Sequence, residues 1–253
     1  MAFGIKFGSY SLPSAFAIVS EPQASVVAVS RLPRADGARV STRYVGEGVI
    51  TLEGGLARDL GSTSDTALRT ALDTLKANLQ GTANLYKHDD RYWRNCQLRD
   101  FPITTPSPTL ELRLHRVSLS FVTGDPYQYS TTTTTDSRSI SASGQTKATT
   151  NGGNAPAAPA ISLTVGGSGA VTLACTITNS TNGESFTLAG AVTGGDVIIV
   201  DSLEQTVTIG GTDKTSLFDG VFPTLATGSN TITIAYTSGT ITNFSISHNA
   251  RYF

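Results

Sequence analysis

Reactive and charged side chains are scarce in this sequence. Its 253 residues include two cysteines, three histidines, one methionine and one tryptophan, and 15 % are charged, where about 25 % is usual for a soluble domain. Cys96 and Cys175 define no disulfide framework, so we expect two buried free thiols. The formal net charge of −1 argues against a chain that holds nucleic acid through bulk charge.

Long apolar segments are absent too. No run approaches the roughly 18 residues that a membrane-spanning helix needs, so we expect no membrane insertion. The first 20 residues lack the compact apolar core of a secretory signal. These features predict a soluble protein that is made and folded in a cytoplasm.

Hydroxyl side chains and glycine replace the missing charge. The chain has 37 threonines, 27 serines and 25 glycines. Threonine suits the half-buried surface of a pleated sheet and glycine suits tight turns, so the composition favours β structure. Because 39 % of the residues are hydrophobic, the chain has enough apolar material for a core.

A change in composition divides the chain. Residues 130–153 contain 13 serines or threonines and almost no large apolar side chain, which predicts a linker over 130–154 or a strand pair on the surface. Residues 1–130 carry a net charge of +2 and residues 131–253 a net charge of −3. Two domains with different surfaces follow from this division.

The first part has the pattern of one helix on a sheet. Ser62–Asp65 forms a capping box, Gly81 is a stop signal, and the spacing between them predicts a helix from about 63 to 80. Its apolar stripe consists of Leu68, Leu72, Leu75 and Leu79. Strand patterns flank the helix at residues 49–53, 83–87, 92–98 and 110–121, with a turn at His88-Asp89-Asp90.

The second part consists of strands and turns. Short runs rich in valine, isoleucine and threonine recur about every ten residues and are separated by glycine-containing turns, a spacing typical of a β-sandwich or barrel. The seven runs are Ala160–Val165, Val171–Ile177, Ser185–Ala189, Asp196–Val200, Thr206–Ile209, Asn230–Tyr236 and Ile241–Ser247.

Residues 31–44 form an arginine-rich segment around an Ala-Asp-Gly turn. It contains Arg31, Arg34, Arg39 and Arg43 with few local acids. One interpretation is a solvated hairpin tip. The other is a protruding arm that grips carboxylates of a neighbouring subunit, because arginine suits ion pairs at interfaces.

No catalytic, cofactor-binding or metal-binding motif is visible. The histidines His88, His115 and His248 are too scattered for a zinc site. Residues 166–169 approach a nucleophile elbow but lack its final glycine, so we interpret them as a turn. Asp89-Asp90 fits the tip of a hairpin better than an acid–base pair.

An ordered set of motifs carries a resemblance to a known family. The segments are VSLSFVTGDPYQY (117–129), NGGNAPAAP (151–159), GDVIIVD (195–201), TVTI (206–209), LFDG (217–220), FPTL (222–225) and GSNTITI (228–234). Together they resemble the distal tail proteins of long, non-contractile-tailed bacteriophages, the siphovirus tail component family.

The resemblance implies a mainly β protein of two sandwich domains. Residues 1–129 would be a ring-forming β-sandwich with one helix and the arm at 31–44, and residues 155–253 a galectin-like, jelly-roll domain. Six copies would close a ring in the baseplate at the distal end of the virion tail. The ring would join the tail tube to a tip, hub or tape-measure protein and a receptor-binding protein, and DNA would pass through without specific binding. No cofactor and no enzymatic activity are implied.

A ring with head-to-tail contacts needs two complementary patches on each subunit. We expect the four arginines of the arm to be one patch and acids such as Asp59, Asp89 and Asp90 to serve as the other. The alternative function is a two-domain adhesin or carbohydrate-binding module that recognises a bacterial surface glycan. A hydrolase would need a pair of carboxylates in a groove, which the sequence does not indicate.

Overall fold

The structure is mainly β and contains one α-helix. It is a computed structural model that describes residues 4–22, 29–31, 38–40, 46–57, 66–104 and 114–253. By internal contacts the chain divides into two units. Unit 1 is Met1–Thr131 with Phe253, and unit 2 is Thr132–Tyr252. The mainly β class predicted from the composition is therefore confirmed.

Unit 1 contains short N-terminal strands, the helix and four longer strands. The elements are β1 (Lys6–Phe7), β2 (Tyr10–Ser11), β3 (Ala17–Ser20), β4 (Val29–Arg31), β5 (Ala38–Val40), β6 (Gly48–Ala57), α1 (Thr66–Asn78), β7 (Thr82–His88), β8 (Arg91–Asp100), β9 (Ile103–Thr104), β10 (Leu114–Thr123) and the start of β11 (Gln128–Ser139).

An antiparallel sheet forms the body of unit 1. Its central order is β11-β8-β10-β6-β3; β7 pairs with β8 and with β1, which also pairs with β2, and β9 pairs with β10. Inward side chains alternate along the strands, as a sheet with one buried face requires: Ile50 and Leu52 on β6, and Leu119 and Phe121 on β10, are fully buried. Trp93 on β8 joins the same core.

The predicted leucine stripe anchors α1 to this core. Leu68 and Leu75 are buried on the helix, Leu79 is buried just after it, and Leu72 packs against the cluster while partly exposed. The helix ends at Asn78 and Gly81 follows with a φ of +82°, a conformation that glycine adopts without strain. The helix is therefore confirmed, whereas the predicted capping box lies outside the described residues.

A glycine inside β6 makes room for an aromatic ring. A β-carbon placed on Gly54 would lie 2.6 Å from the ring of Phe16, closer than two carbon atoms can approach. Phe16 is buried, so the ring lies directly over the Gly54 backbone. Glycine weakens an isolated strand, and here the packing of Phe16 is what requires it.

Unit 2 contains the remainder of β11, ten further strands and a single 3₁₀ turn at Thr215–Leu217. The strands are β12 (Gln145–Asn151), β13 (Ala160–Val165), β14 (Ala170–Asn179), β15 (Glu184–Thr193), β16 (Val197–Asp201), β17 (Thr206–Ile209), β18 (Thr212–Asp213), β19 (Phe218–Gly220), β20 (Gly228–Ser238) and β21 (Ile241–Tyr252).

These strands form a β-sandwich. One sheet has the order β18-β17-β16-β13-β21 and continues into β11 from Thr132 onward, and the other has the order β12-β20-β14-β15-β19. Inward residues of both sheets make one core, with Leu163 and Phe244 from the first sheet against Ile177 and Phe186 from the second. All seven strands predicted in this part are present.

Strands occupy most of the segment predicted as a linker over 130–154. β11 covers its first residues and β12 covers Gln145–Asn151, paired with β20 along its whole length. Of the two predicted alternatives, a linker or strands on the surface, the strands describe most of this segment, because threonine and serine, although poor core formers, pair well as outer strands of an existing sheet.

Candidate functional site

The arginine-rich segment contains a small antiparallel sheet of its own. β4 and β5 are in register with Arg31 opposite Ala38 and Arg39 opposite Ser30. Within the described ranges, these two strands pair only with each other. The strand pair agrees with the predicted hairpin, and its role in contacts between copies stays a prediction.

The two adjacent acids form the turn between β7 and β8. Asp89 lies 3.4 Å from the Lys6 ammonium and Asp90 lies 3.8 Å from the Arg91 guanidinium, and 71 % of each carboxylate side chain is exposed. Exposed ion pairs of this kind contribute about 0–1 kcal/mol to stability. Because both carboxylates are mostly exposed, they can make further contacts.

The start of β11 fixes this turn in place. The Thr131 amide donates to the Asp90 carbonyl at 2.8 Å, and the Thr131 hydroxyl donates to the Asp89 carbonyl at 2.9 Å. The turn therefore presents its carboxylates from a rigid backbone. A hairpin tip was predicted for these acids and is confirmed.

The predicted contact residues are brought together only in part. Asp89 and Asp90 are neighbours on one turn, and Arg31 and Arg39 share one strand pair. Arg34, Arg43 and Asp59 lie outside the described residues.

A tyrosine ladder next to this turn was missed at the sequence level. The Tyr86 and Tyr92 rings lie 5.3 Å apart, the Tyr92 and Tyr129 rings 5.9 Å apart, and the Arg94 guanidinium stands 5.5 Å over Tyr129. Tyr86 and Tyr92 are half-buried, and burial raises the pKa of Tyr92. Tyr129 itself is buried, so only Tyr86 and Tyr92 reach the surface, where tyrosine is a residue type enriched at protein interfaces.

The two cysteines are buried and free, as predicted. Cys96 lies in the core of unit 1 and Cys175 in the core of unit 2. Burial raises the pKa of both thiols to about 12. Since the thiolate is the nucleophilic form, both thiols are unreactive near neutral pH.

The other features searched for in the sequence are apart from one another. His88, His115 and His248 lie on β7, β10 and β21, and the described part of the chain contains no cluster of three or more metal-ligating side chains. Gly166–Gly169 is the connection between β13 and β14, as the turn prediction states. Among the residues with described structure, no helix has the length and apolarity to cross a bilayer.

These observations define a class of protein. The chain is a two-unit β protein whose described residues include a separate two-stranded sheet, β4–β5, and an exposed acidic turn between β7 and β8. Its sequence supplies the more particular assignment: residues 152–252 match the family model described as siphovirus-type tail component, C-terminal domain. The resemblance predicted from the motifs is thereby confirmed.

Solved structures extend the likeness to the whole chain. The crystal structure of the Dit (gp 19.1) protein of phage SPP1 matches with a TM-score of 0.75 and 15 % identity, over 100 % of both chains. The phage P2 baseplate in its activated conformation with Ca matches with a TM-score of 0.43 and 10 % identity, over 96 % of this chain and 90 % of that chain. No curated protein matches the sequence.

The family match covers the C-terminal part of the chain, and the structural match shows the fold of the whole chain. The fold of the whole chain is that of SPP1 Dit, and the sequence of unit 2 carries the family signature.

Proposed function

We propose that this chain forms a hexameric ring at the distal end of a phage tail, where it connects the tail tube to the tip apparatus. The single observation that carries the proposal is the whole-chain structural match to SPP1 Dit. That protein is described as a paradigm of hub adsorption apparatus in phages that infect Gram-positive bacteria. A hub of this kind needs cyclic symmetry around an open channel.

The ring is built by unit 1, and unit 2 lies at its periphery. A cyclic ring uses two different patches that complement one another from copy to copy. The β4–β5 arm provides the basic patch, and the Asp89-Asp90 turn is the acidic patch on the described surface. A two-stranded sheet is marginally stable in isolation, so the arm gains order when a neighbouring copy covers it.

The partners of the ring are the tail tube protein on one side and a tip, hub or tape-measure protein on the other, with a receptor-binding protein at the periphery. DNA passes through the channel without specific contacts. The near-neutral formal charge of −1 supports this passage, because tight binding would need many neutralising lysines and arginines.

The mass of the purified full-length chain in solution tests the ring. We expect a species of six times 26.4 kDa by light scattering, and rings with a central opening in negatively stained electron micrographs. A single-chain mass at high protein concentration would contradict the proposal. A monomer that binds bacterial glycans on an array would favour the carbohydrate-binding alternative instead.

Removing the charges of the arm should abolish the ring. We expect the combined substitution Arg31→Ser, Arg34→Ser, Arg39→Ser and Arg43→Ser to leave a folded monomer. Loss of four charge-assisted contacts in each of six interfaces removes several kcal/mol per interface, at about 1.5–3 kcal/mol for each hydrogen bond to a charged group. Light scattering measures the mass, and circular dichroism checks the fold.

A matched control removes arginines elsewhere on unit 1. Arg69, Arg99 and Arg116 are exposed, and their replacement by serine should leave the ring intact. If the control also dissociates, general loss of positive charge explains the result and the arm has no special role. If the arm variant keeps the mass of the ring, the arm does not hold neighbouring copies together.

A further inference from the structure

A buried histidine lies at one side of the unit 2 sandwich. His248 is on β21 and only 3 % of it is exposed. Within the described structure, neither of its ring nitrogens has a hydrogen-bond partner. A buried imidazole without partners tolerates the neutral state and strongly disfavours the charged one.

Close to this histidine, a carboxylate ties the two sheets of unit 2 together. Asp136 on β11 belongs to the same sheet as β21. It accepts a hydrogen bond from the Thr149 hydroxyl at 2.8 Å and pairs with the Lys147 ammonium at 3.2 Å. Both partners are on β12, in the opposite sheet. Asp136 is therefore a cross-link between the outermost strands.

The electrostatic field of Asp136 reaches the imidazole. Burial lowers the pKa of His248, while the nearby Thr150 main chain and the Asp136 charge oppose that effect. The other charged groups on the facing elements are few. β11 also contributes Arg138, β12 contributes Lys147 and β21 itself contributes Arg251, while β13 and β20 contain no aspartate, glutamate, lysine, arginine or histidine. Asp136 is thus the available counter-ion for a charged His248.

We propose that His248 and Asp136 form an acid-sensitive latch in unit 2. With a neutral imidazole, Asp136 holds Thr149 and Lys147 and the β11–β12 side of the sandwich is closed. When the imidazole takes a proton from solvent, the buried cation draws the Asp136 carboxylate toward it. The carboxylate then leaves Thr149 and Lys147, and β12 loses its cross-link to β11.

The sign of the pH dependence follows from linkage. The pKa of the His248 imidazole is lower in the folded state than its value of about 6.5 in an unfolded chain. The unfolded state therefore binds the proton first. Stability of this region is therefore greatest above pH 6.5 and falls as the pH drops toward the folded-state pKa, below which the loss is constant. Each pKa unit between the two states multiplies the opening equilibrium by up to about tenfold.

Hydrogen exchange of the full-length protein, followed by mass spectrometry on peptides that cover β12, tests the latch. Wild type is compared with His248→Gln at each pH, which removes the intrinsic pH dependence of exchange. We expect the ratio of wild-type to variant opening to be higher at acid pH than at pH 7.5. Equal pH dependence in the two proteins would overturn the proposal.

The role of Asp136 is tested separately. Asp136→Asn removes the counter-ion while it keeps an acceptor for Thr149. We expect the imidazole of this variant, followed by nuclear magnetic resonance, to titrate at lower pH than in wild type. Because the Lys147 ion pair is lost, β12 peptides should open more than in wild type already at neutral pH and gain less on acidification. An unchanged titration would show that Asp136 is not the partner of the charged ring. The exposed-turn variant Asp89→Asn, in unit 1, is the matched control and should change neither readout.

Discussion

Replacing Trp93 with alanine is expected to unfold unit 1 while unit 2 stays folded. Trp93 is fully buried in a core made by unit 1 residues alone, and unit 2 has a separate core. Truncation of a buried tryptophan costs about 3–5 kcal/mol, a large share of the roughly 5–15 kcal/mol that stabilises a domain. Hydrogen exchange on peptides from β8 and β10, against peptides from β14 and β20, measures the two units independently.

Trp93→Phe separates the loss of volume from the loss of the indole nitrogen. Among the described residues, the Trp93 Nε1 has no hydrogen-bond partner. Phenylalanine therefore removes only part of the ring and leaves no partner unsatisfied, so this variant should lose a fraction of the stability that alanine removes. If the alanine variant destabilised both units equally, the two cores would not be independent and the division of the chain would be wrong.

The second large effect is expected from Asn230→Ala in unit 2. Asn230 is completely buried. Its Oδ1 accepts from Asn179 Nδ2 at 3.1 Å and the Ala226 amide at 2.9 Å, while its Nδ2 donates to the carbonyls of Ala226 at 2.8 Å and Gly228 at 3.0 Å. Alanine leaves these groups without hydrogen-bond partners. Each buried donor or acceptor without a partner lowers the free energy of unfolding by about 1–3 kcal/mol. We expect a total loss of about 3–5 kcal/mol, at the upper end for single substitutions.

Two measurements make this second result specific. Trp93 is the only tryptophan, so its fluorescence reports unit 1 and should be unchanged in Asn230→Ala, while circular dichroism records the loss of unit 2. Asn230→Asp keeps the shape but places a carboxylate oxygen against the Ala226 and Gly228 carbonyls, and it should destabilise at neutral pH and recover in part at acid pH. A variant with wild-type stability would mean that water replaces the amide without cost.

Periodicity predicted the parts of the fold that local patterns determine. The leucine stripe at steps of four, three and four gave the helix, and its burial follows from the face that those residues share. In unit 2 each run of alternating apolar residues became a strand whose buried positions alternate, as in the burial of Ile161, Leu163 and Val165 on β13. Turn glycines marked the boundaries because few other residues adopt a positive φ.

The threonine-rich segment shows where composition misleads. Residues 130–139 contain no apolar run, so their own sequence gives no reason to form a strand. They are ordered because β21 and, before it, β8 offer open edges with main-chain hydrogen-bonding groups. That stabilisation comes from the partner strands, and a pattern within one segment cannot reveal it.

Only the charged residues of the candidate site could be predicted from the sequence. The arginines and the acidic turn were visible as residue types, whereas the tyrosine ladder depends on register. Tyr86 faces Tyr92 because an irregularity at Lys87 shifts the pairing by one residue between His88–Arg91 and Tyr86–Tyr92. A regular hairpin with the same turn would place Tyr86 opposite Trp93 instead. The extra residue gives Tyr86 and Leu85 new neighbours, and a second irregularity between Leu85 and Ala83 restores the original register.

The buried thiols have a consequence for the life of the particle outside the host. In the proposed ring, copies of this chain would lie next to one another and would meet dissolved oxygen once the particle leaves the host. Cys96 and Cys175 are sealed inside separate cores as protonated thiols, so they neither cross-link adjacent copies nor oxidise readily. These two thiols therefore would supply no covalent link between copies of the proposed ring.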